Sequence, residues 1–501
     1  MSYYFSTSHH LENTKYLKRF GPEDWQTLDH DFGKFGYAML NTTNEPAVEQ
    51  PYQGKHGVLV WDGRIYNVTD QTKWLAKNLD NNIEHCIEVI RSLNGDFTLT
   101  WVTDDFIVFC DGIDRQSLYY FIEEEIHIAS CRHALKEFPT SYKAVTGFIY
   151  IYDKHKKTCE YVINQQYNTD QTVNNWDTVH EMFELSIKDR HSDKNLYTLG
   201  GIDSGAIHCA VHKLFGSVNS ATLIPNVEHA ETMALRAEMH DTKFVPYDSC
   251  GPFDYRKVLQ EAFDYTCGDA EQKNKFANLG LSSLCTEVML TAGLNVLVDG
   301  GGSDNIFSDH GVHGKKLFNN LSVFGGYFPK HLNLVWPWAG SREDGRPLMD
   351  GIADIQNVIC YYWGVRRISP LKDPRIVQAF LNTTQNLKNK RYKGWLLDYM
   401  DNHKYPYRME KVGIVAYKEM WTPYDNRKQQ KQVEKAKKVA WKEKKRLQNQ
   451  ATVKRQLDIW KKEEDIAKKQ RAEALAKQLK EQESKQPKKV VIRGGKRYFE
   501  Y

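Results

Sequence analysis

The feature that most constrains the fold is a repeated succession of a short apolar segment, a glycine-rich loop and an amphipathic helix. The clearest copy spans 195–216, and the region 220–247 repeats strand, helix and strand patterns. A further apolar segment, 294–298, runs into a second glycine-rich loop at 299–305. Such alternation predicts an open, mostly parallel sheet, because parallel strands need crossover connections. Ligands of these sheets bind at the carboxyl ends of the strands.

The part of the chain before this pattern has a different pattern of residue types. Residues 1–165 hold short runs of β-branched and aromatic residues, interrupted by one helical apolar pattern at 70–94. This composition predicts an α+β domain in which sheets are layered with helices. Residues 175–424, which carry the strand–loop–helix units, are predicted to form a separate α/β domain with a parallel sheet.

Charge separates a third segment from the rest. Residues 425–501 contain 25 Lys and Arg against 11 Asp and Glu, whereas the preceding part has a net charge of −10. Between 427 and 486 there is neither glycine nor proline. These features predict a long basic helix at the C-terminus. A polyanion or a protein partner could bind this tail, since clustered cations attract phosphates and acidic surfaces.

Composition excludes several classes of protein. Hydrophobic residues make up 41% and charged residues 26%, which is typical of globular chains and not of fibrous or disordered ones. No stretch approaches the ~18 apolar residues that cross a bilayer, and the start lacks a signal-peptide pattern. The nine cysteines form no CxxC pair, which favours reduced thiols over disulfides or a zinc site. We therefore expect a cytoplasmic protein without a membrane partner.

The loop at 198–205 has the chemistry of a phosphate site. Its glycines let backbone N–H groups approach a polyanion, and the start of the following helix adds partial positive charge. Asp203 would repel phosphate unless a cation lies between them, which indicates magnesium-bound pyrophosphate. An ordinary glycine turn between strand and helix is the alternative interpretation.

The loop at 299–305 repeats this design. If both loops end neighbouring parallel strands, they face one crevice, and Asp203 and Asp304 would share the metal ion. A helix N-cap is the alternative role for Asp304.

The two loops resemble the SGGxDS and SGxGxDE motifs of the asparagine synthetase family. The resemblance continues in the family's order along the chain. Residues 229–232, 363–373 and 408–414 resemble its DE-initiated helix, its G-x-E-x-R-x-P-F-L-D segment and its R-x-K-x-G-F segment. In the N-terminal part, 19–24, 61–67, 93–97 and 111–120 resemble RGPD, NGEIYN, L-x-G-x-F and RDxxGxxPLYY.

This resemblance covers residues 1–424 and implies a fold and a reaction. The fold would be an N-terminal-nucleophile-type sandwich, glutaminase-like, followed by an ATP-pyrophosphatase domain. The reaction would use ATP and Mg²⁺ to adenylate a carboxylate, release pyrophosphate and form an amide. The implied roles are pyrophosphate binding by Gly200, Gly201 and Ser204, metal binding by Asp203 and Asp304, charge neutralisation by Lys411, and nucleotide contact by Thr198, Leu223, Asp299 and Gly300.

The N-terminal part departs from the family at its nucleophile. The family's glutaminase uses a cysteine exposed by removal of the initiator methionine, whereas this chain has Ser2, a poorer nucleophile at neutral pH. Asp111 survives as a vestigial glutamine-binding residue, but Asp62 and Arg64 replace the Asn and Glu of NGEIYN. We therefore expect an inactive glutaminase domain, with Ser2 catalytic only if that activity persists.

The two glycine-rich loops depart less from the family's motifs than the N-terminal part does. Leu199 replaces the first serine of SGGxDS, Asn305 replaces the final glutamate, and Gly301 replaces a glutamate of true asparagine synthetases. Relatives that close β-lactams or cyclise lasso peptides vary the same positions. The acceptor is thus expected to be a small-molecule or peptide carboxylate, with ammonia or a substrate amine as the nucleophile, and the loss of the glutamate at position 301 makes aspartate a less favoured acceptor.

In an alternative interpretation, the chain has the same fold but no catalytic activity. In it the chain is a non-catalytic platform whose basic tail binds a partner or nucleic acid. The retained glycines, both loop aspartates and Lys411 favour the ligase. Assembly as a homodimer stays open under either interpretation.

Overall fold

The computed structural model describes residues 2–42, 48–111, 118–138, 140–145, 147–164, 167–224, 230–246, 275–307, 328, 356–357, 359–360, 363–408, 489–493 and 496–500. The chain divides into two compact units, Met1–Tyr417 and Lys418–Tyr501. All helices and both large groups of strands described below belong to the first unit.

Twelve strands of the N-terminal part form two six-stranded antiparallel sheets. The first sheet has the order β10-β8-β9-β1-β3-β2 and consists of β1 Ser2–Ser6, β2 Asp24–His30, β3 Gly33–Met39, β8 Tyr119–Ile122, β9 Ile126–Ala129 and β10 Tyr142–Lys143. The second has the order β12-β11-β7-β6-β5-β4 and consists of β4 Tyr52–Gln53, β5 Val58–Ile65, β6 Gly95–Val102, β7 Phe106–Asp111, β11 Phe148–Asp153 and β12 Thr158–Ile163.

The two sheets pack face to face, and helices cover their outer faces. Successive side chains of a strand point to opposite faces, so Val58 and Val60 join the core between the sheets. Leu59 and Trp61 instead pack against two helices on the outside of the second sheet, α2 Gln71–Asn78 and α3 Ile83–Ser92. A short helix, α1 Lys15–Phe20, lies with the 3₁₀ turn Arg132–Leu135 against the outer face of the first sheet. The predicted layering of sheets with helices is confirmed.

The predicted parallel sheet is also confirmed. It has the order β15-β14-β13-β16-β17, every neighbouring pair being parallel. Its strands are β13 Asn195–Thr198, β14 Asn219–Ile224, β15 Asp241–Pro246, β16 Val296–Val298 and β17 Arg366–Ile368. The helices of this part that fall within the described residues are α4 Asp177–Arg190, α5 Ile202–Phe215, α6 Ala230–Ala237, α7 Lys275–Leu290, α8 Ser303–Ile306, α9 Pro374–Asn382, α10 Gln385–Lys390 and α11 Gly394–Asn402.

The order of the strands places the two glycine-rich loops side by side. From β13 the chain first builds the sheet outward through β14 and β15, and then returns to add β16 on the other side of β13. The loops after β13 and β16 therefore leave the same edge of the sheet on either side of this reversal. Open α/β sheets bind their ligands at such a switch point. Both faces of the sheet are covered, one by α4, α5, α9 and α11 and the other by α7.

A buried ion network joins the antiparallel part to the parallel part. Arg190, the last residue of α4, places Nη2 2.9 Å from Asp96 Oδ1 and Nη1 2.7 Å from Asp373 Oδ2. The Tyr66 hydroxyl donates to the other oxygen of Asp96 at 2.6 Å, and Arg375 pairs with Asp373. Burial raises the pKa of Asp373, but the charges of the two arginines outweigh it and lower the pKa to about 2. The Asp373 carboxylate is therefore held in its charged form.

In the second unit, Lys489–Arg493 (β18) and Lys496–Glu500 (β19) form an antiparallel hairpin. The predicted helical tail thus does not extend over these residues, where β-branched Val490, Val491 and Ile492 favour a strand. Residues 425–488, where the basic helix is predicted, lie outside the described residues. Within the described ranges, no helix combines the length and the apolar character needed to cross a membrane.

Three buried histidines predict a loss of stability in mild acid. Burial lowers the pKa of His127 and of His240 to about 4, and it lowers the pKa of His208 as well. The unfolded chain binds protons on these side chains near pH 6.5 while the folded chain does not, so the unfolding free energy falls as pH drops from about 6.5 towards 4. We expect a loss of about 1–2 kcal/mol per histidine at pH 5, measured by urea denaturation. His240→Gln should flatten this dependence, because it removes one of the three buried imidazoles; a slope equal to that of the wild type would contradict the assignment.

Candidate active site

The first glycine-rich loop turns the chain from β13 directly into α5. Leu199 N–H donates to the Ala221 carbonyl of the neighbouring strand at 2.8 Å, which fixes the start of the turn. Gly205 N–H donates to the Gly201 carbonyl at 2.9 Å and closes the first helical turn. The N–H groups of Ile202, Asp203 and Ser204 precede that bond, so they lack intrahelical acceptors. They form a short series of donors at the positive end of a 14-residue helix.

The second loop touches the first. A Cβ atom on Gly300 would lie 2.7 Å from Cβ of Asp203 and 2.9 Å from the backbone nitrogen of Ser204. Real Cβ atoms do not approach so closely, so glycine at this position is what lets the two loops pack together. The two loops therefore lie in contact at this edge of the sheet, and their sharing of one binding site stays a prediction.

Asp203 lies where the loops meet, and a lysine that the sequence analysis missed holds it there. Lys393 Nζ is 2.6 Å from each carboxylate oxygen of Asp203, and Ser303 Oγ donates to Oδ1 at 2.7 Å. The Lys393 residue is only 4% exposed and has a left-handed backbone with φ of +49°. Non-glycine residues adopt that conformation at a cost, and they concentrate at functional sites. The backbone at the start of α11 is thus shaped to direct an ammonium group at the loop.

Asp299 organises the second loop from within. It accepts hydrogen bonds from Arg367 Nε at 2.7 Å, from Ser369 Oγ at 2.6 Å and from Gly301 N–H at 2.9 Å. Burial raises the pKa of Asp299, but the charge of Arg367 and these hydrogen bonds outweigh it, so the pKa lies below its ordinary value. A Cβ on Gly301 would lie 2.1 Å from Arg367 Nη2. The glycine that stands in place of the family's glutamate is therefore required by the Arg367–Asp299 pair.

The predicted nucleotide-lining residues lie at the same edge of the sheet. Thr198 ends β13, Leu223 is the penultimate residue of β14, and Gly300 follows β16 by two residues. The structure thus brings together three of the predicted positions. Asp304 lies within α8, but its side chain is outside the described residues, as is the whole of Lys411. The shared metal site and the role of Lys411 remain predictions.

The described residues of the site could hold Mg²⁺ only together with phosphate oxygens of a bound nucleotide. Among the described residues there is no group of three or more His, Cys, Asp or Glu side chains that could hold a metal ion. Mg²⁺, however, prefers hard oxygen ligands and commonly binds through one or two carboxylates together with substrate phosphates and water. Asp203 supplies such oxygens at the loop, so its chemistry fits an ion that arrives with a nucleotide.

The residues expected to be vestiges of a glutaminase are buried in the sandwich. Ser2, in β1 of the first sheet, is fully buried, and its hydroxyl donates to the Leu17 carbonyl at 2.7 Å. Asp111 ends β7 of the second sheet and is also buried. Strand register places it beside Thr98, which in turn neighbours Asp62. The serine hydroxyl is thus committed to a structural hydrogen bond.

We accordingly expect the purified protein to release no glutamate from glutamine above background. Ser2→Ala should leave that background unchanged and reduce the unfolding free energy by about 1 kcal/mol, the usual contribution of one hydrogen bond. A coupled glutamate assay and urea denaturation measure the two effects. Glutamate release that is robust in the wild type and lost in Ser2→Ala would show that the N-terminal part is an active amidase.

No family model and no curated protein sequence matches the chain. Similar solved structures include an allosteric regulatory enzyme of purine biosynthesis, with 12% identity over 49% of this chain and 64% of that one, at a TM-score of 0.28. They also include glutamine phosphoribosylpyrophosphate amidotransferase from B. subtilis in complex with ADP and GMP, with 10% identity, 49% and 65% coverage, and a TM-score of 0.26. This chain matches less than two thirds of either structure, and at such TM-scores neither likeness bears on its function.

Proposed function

We propose that the chain is an ATP-dependent amide-forming ligase, which activates a carboxylate as its acyl-adenylate and releases pyrophosphate without hydrolysing glutamine. The observation that carries this proposal is the buried Lys393 ammonium, directed at Asp203 where two glycine-rich loops touch. Cation, carboxylate and backbone donors converge there at the switch point of a parallel sheet, where such sheets bind ligands.

The first loop would bind the phosphates that leave as pyrophosphate. Gly200 and Gly201 carry no side chains, so the backbone can approach the phosphate oxygens, and the first N–H groups of α5 are available to donate to them. The Ser204 hydroxyl lies over the loop, since its Oγ would be 3.3 Å from a Cβ on Gly200. Asp203 would hold Mg²⁺, which neutralises phosphate charge when it is bound.

Lys393 would act on the leaving group. As a carboxylate oxygen forms a bond to the α-phosphorus, the bond to the bridging oxygen breaks and negative charge grows on pyrophosphate. A preorganised cation that is shielded from water stabilises such charge more effectively than an exposed one. The amine then attacks the acyl carbon, and AMP leaves. Lys411, which the family resemblance assigns to charge neutralisation, would act in addition to Lys393.

The experiment is isotope exchange between pyrophosphate and ATP in a panel of carboxylates, with aspartate tested first. We expect exchange that requires both magnesium and one class of small-molecule or peptide carboxylate, because only a reversible adenylation returns labelled pyrophosphate to ATP. Product amide should form when ammonia is added, unless the substrate carries its own amine. A wild-type protein that binds no Mg-ATP and catalyses no exchange would overturn the ligase proposal in favour of a binding platform.

A further inference from the structure

A second buried cation, Arg236 of α6, contacts the backbone of the first loop. Its residue is 2% exposed. Nη1 donates to the Gly200 carbonyl and, at 3.1 Å, to the Gly201 carbonyl. Nε donates to the Pro406 carbonyl at 2.8 Å, and the guanidinium carbon lies 5.4 Å from the centre of the Tyr405 ring. The guanidinium is therefore fixed by the segment after α11 and is bonded to two successive carbonyls of the loop.

Bonding those two carbonyls determines where the next two N–H groups point. A trans peptide is planar, and its C=O and N–H groups point in opposite directions. The cis bond of the described chain is Gln50–Pro51, so the Gly200–Gly201 and Gly201–Ile202 peptides are trans. Because their carbonyls face Arg236, the N–H groups of Gly201 and Ile202 face away from it.

Because two glycines follow one another, the orientation of the peptide between them must be restrained. Glycine adopts positive and negative φ with similar ease, so a Gly-Gly peptide can rotate to present its carbonyl where its N–H should be. A carbonyl turned towards a phosphate would repel it. A charge-assisted hydrogen bond to each carbonyl opposes that rotation.

Gly205 provides the space that the guanidinium occupies. A Cβ at position 205 would lie 2.6 Å from Arg236 Nη2 and 2.8 Å from its central carbon. Glycine in the interior of a helix destabilises it by about 0.5–1 kcal/mol relative to alanine. A glycine here is explained by the close approach of Arg236 to the first turn of α5.

We propose that Arg236 is a positioning residue, which holds the Gly200–Gly201 backbone so that the N–H groups of Gly201 and Ile202 are presented to the pyrophosphate part of the nucleotide. This inference rests on the proposed function, since it assigns the first loop to phosphate. Arg236 acts through the backbone and from behind the loop. Its effect is consequently specific to ligands that carry the β- and γ-phosphates.

The test compares Arg236→Met and Arg236→Lys with the wild type by calorimetric titration of Mg-ATP, magnesium pyrophosphate and AMP. We expect Arg236→Met to weaken binding of Mg-ATP and pyrophosphate about 10- to 100-fold, the equivalent of one or two charged hydrogen bonds. AMP binding should change less than about twofold, as AMP lacks those phosphates. Arg236→Lys, which can reach one carbonyl, should be intermediate. The control is Arg91→Met, which removes an exposed arginine from α3, a helix of the antiparallel N-terminal part.

Gly205→Ala tests the same inference without removing the charge. Its Cβ displaces the guanidinium, so it should weaken pyrophosphate binding and leave AMP binding near the wild-type value. Unchanged pyrophosphate affinity in Arg236→Lys and Gly205→Ala, or an equal loss of AMP and pyrophosphate binding in every variant, would overturn the inference. A wild-type protein that binds neither Mg-ATP nor pyrophosphate would instead overturn the proposed function.

Discussion

Replacing Arg190 with methionine is expected to lower the free energy of unfolding by about 3–5 kcal/mol. The side chains of Arg190, Asp96 and Asp373 are nearly or completely shielded from water. Removing the cation leaves the buried Asp96 carboxylate with the Tyr66 hydroxyl as its side-chain partner among the described residues, and leaves Asp373 paired with Arg375. Uncompensated buried charge is costly, because the interior solvates it poorly. Urea denaturation of the full chain measures the change.

Two controls separate this effect from loss of a generic ion pair. Lys213→Met removes the partner of Glu184 at a site where the lysine side chain is 43% exposed, so it should cost less than about 1 kcal/mol. Asp96→Asn combined with Arg190→Met should be less destabilising than the sum of the two single changes, because the double variant no longer buries the unpaired Asp96 charge. A loss below about 1 kcal/mol in Arg190→Met would contradict the importance of this network for joining the two parts.

The second large effect is expected from Lys393→Met, which should lower the rate of pyrophosphate release about 100- to 1000-fold. The physical reason is the loss of the preorganised ammonium group beside Asp203. Because Asp203 is itself partly accessible to water, the fold should survive the change. Steady-state release of pyrophosphate from Mg-ATP, measured with the carboxylate identified by isotope exchange, provides the rate.

Lys404→Met is the matched control for Lys393→Met. Lys404 also has a left-handed backbone, with φ of +52°, but it is exposed and lies beyond the end of α11. It shares the backbone conformation without the contact to Asp203, so its substitution should leave the rate within about twofold of the wild type. Equal rates in Lys393→Met and the wild type would remove Lys393 from the mechanism.

The architecture followed from hydrophobic periodicity. Buried parallel strands such as Val296–Val298 are apolar on both faces, and half-buried segments such as α3 keep a regular apolar stripe, so both patterns are visible in sequence. The hairpin at Lys489–Glu500 was not predicted as such, since the charge of the tail dominated its interpretation. Its β-branched residues were the signal that could have revealed it.

The glycines and Asp203 of the candidate site were predictable because backbone approach to a polyanion demands glycine within a short segment. The roles of Lys393 and Arg236 were not predictable. Each side chain reaches the loop from an element distant in sequence, and such contacts leave no pattern in residue spacing or composition. One signal was present for Lys393. A lysine immediately before an apolar helix is electrostatically unfavourable at the positive end of the helix dipole, and its presence there suggests a role outside the helix.

We infer that the two loops form a site for Mg-ATP, and calorimetric titration of ATP into the protein provides the sharpest test of this inference. With magnesium present, we expect saturable binding of one nucleotide, which a chelator of magnesium abolishes. Asp203→Asn should weaken this binding at least about tenfold, because it removes an anionic ligand of the metal ion. No binding of Mg-ATP by the wild type, or binding that is indifferent to both magnesium and Asp203→Asn, would contradict it.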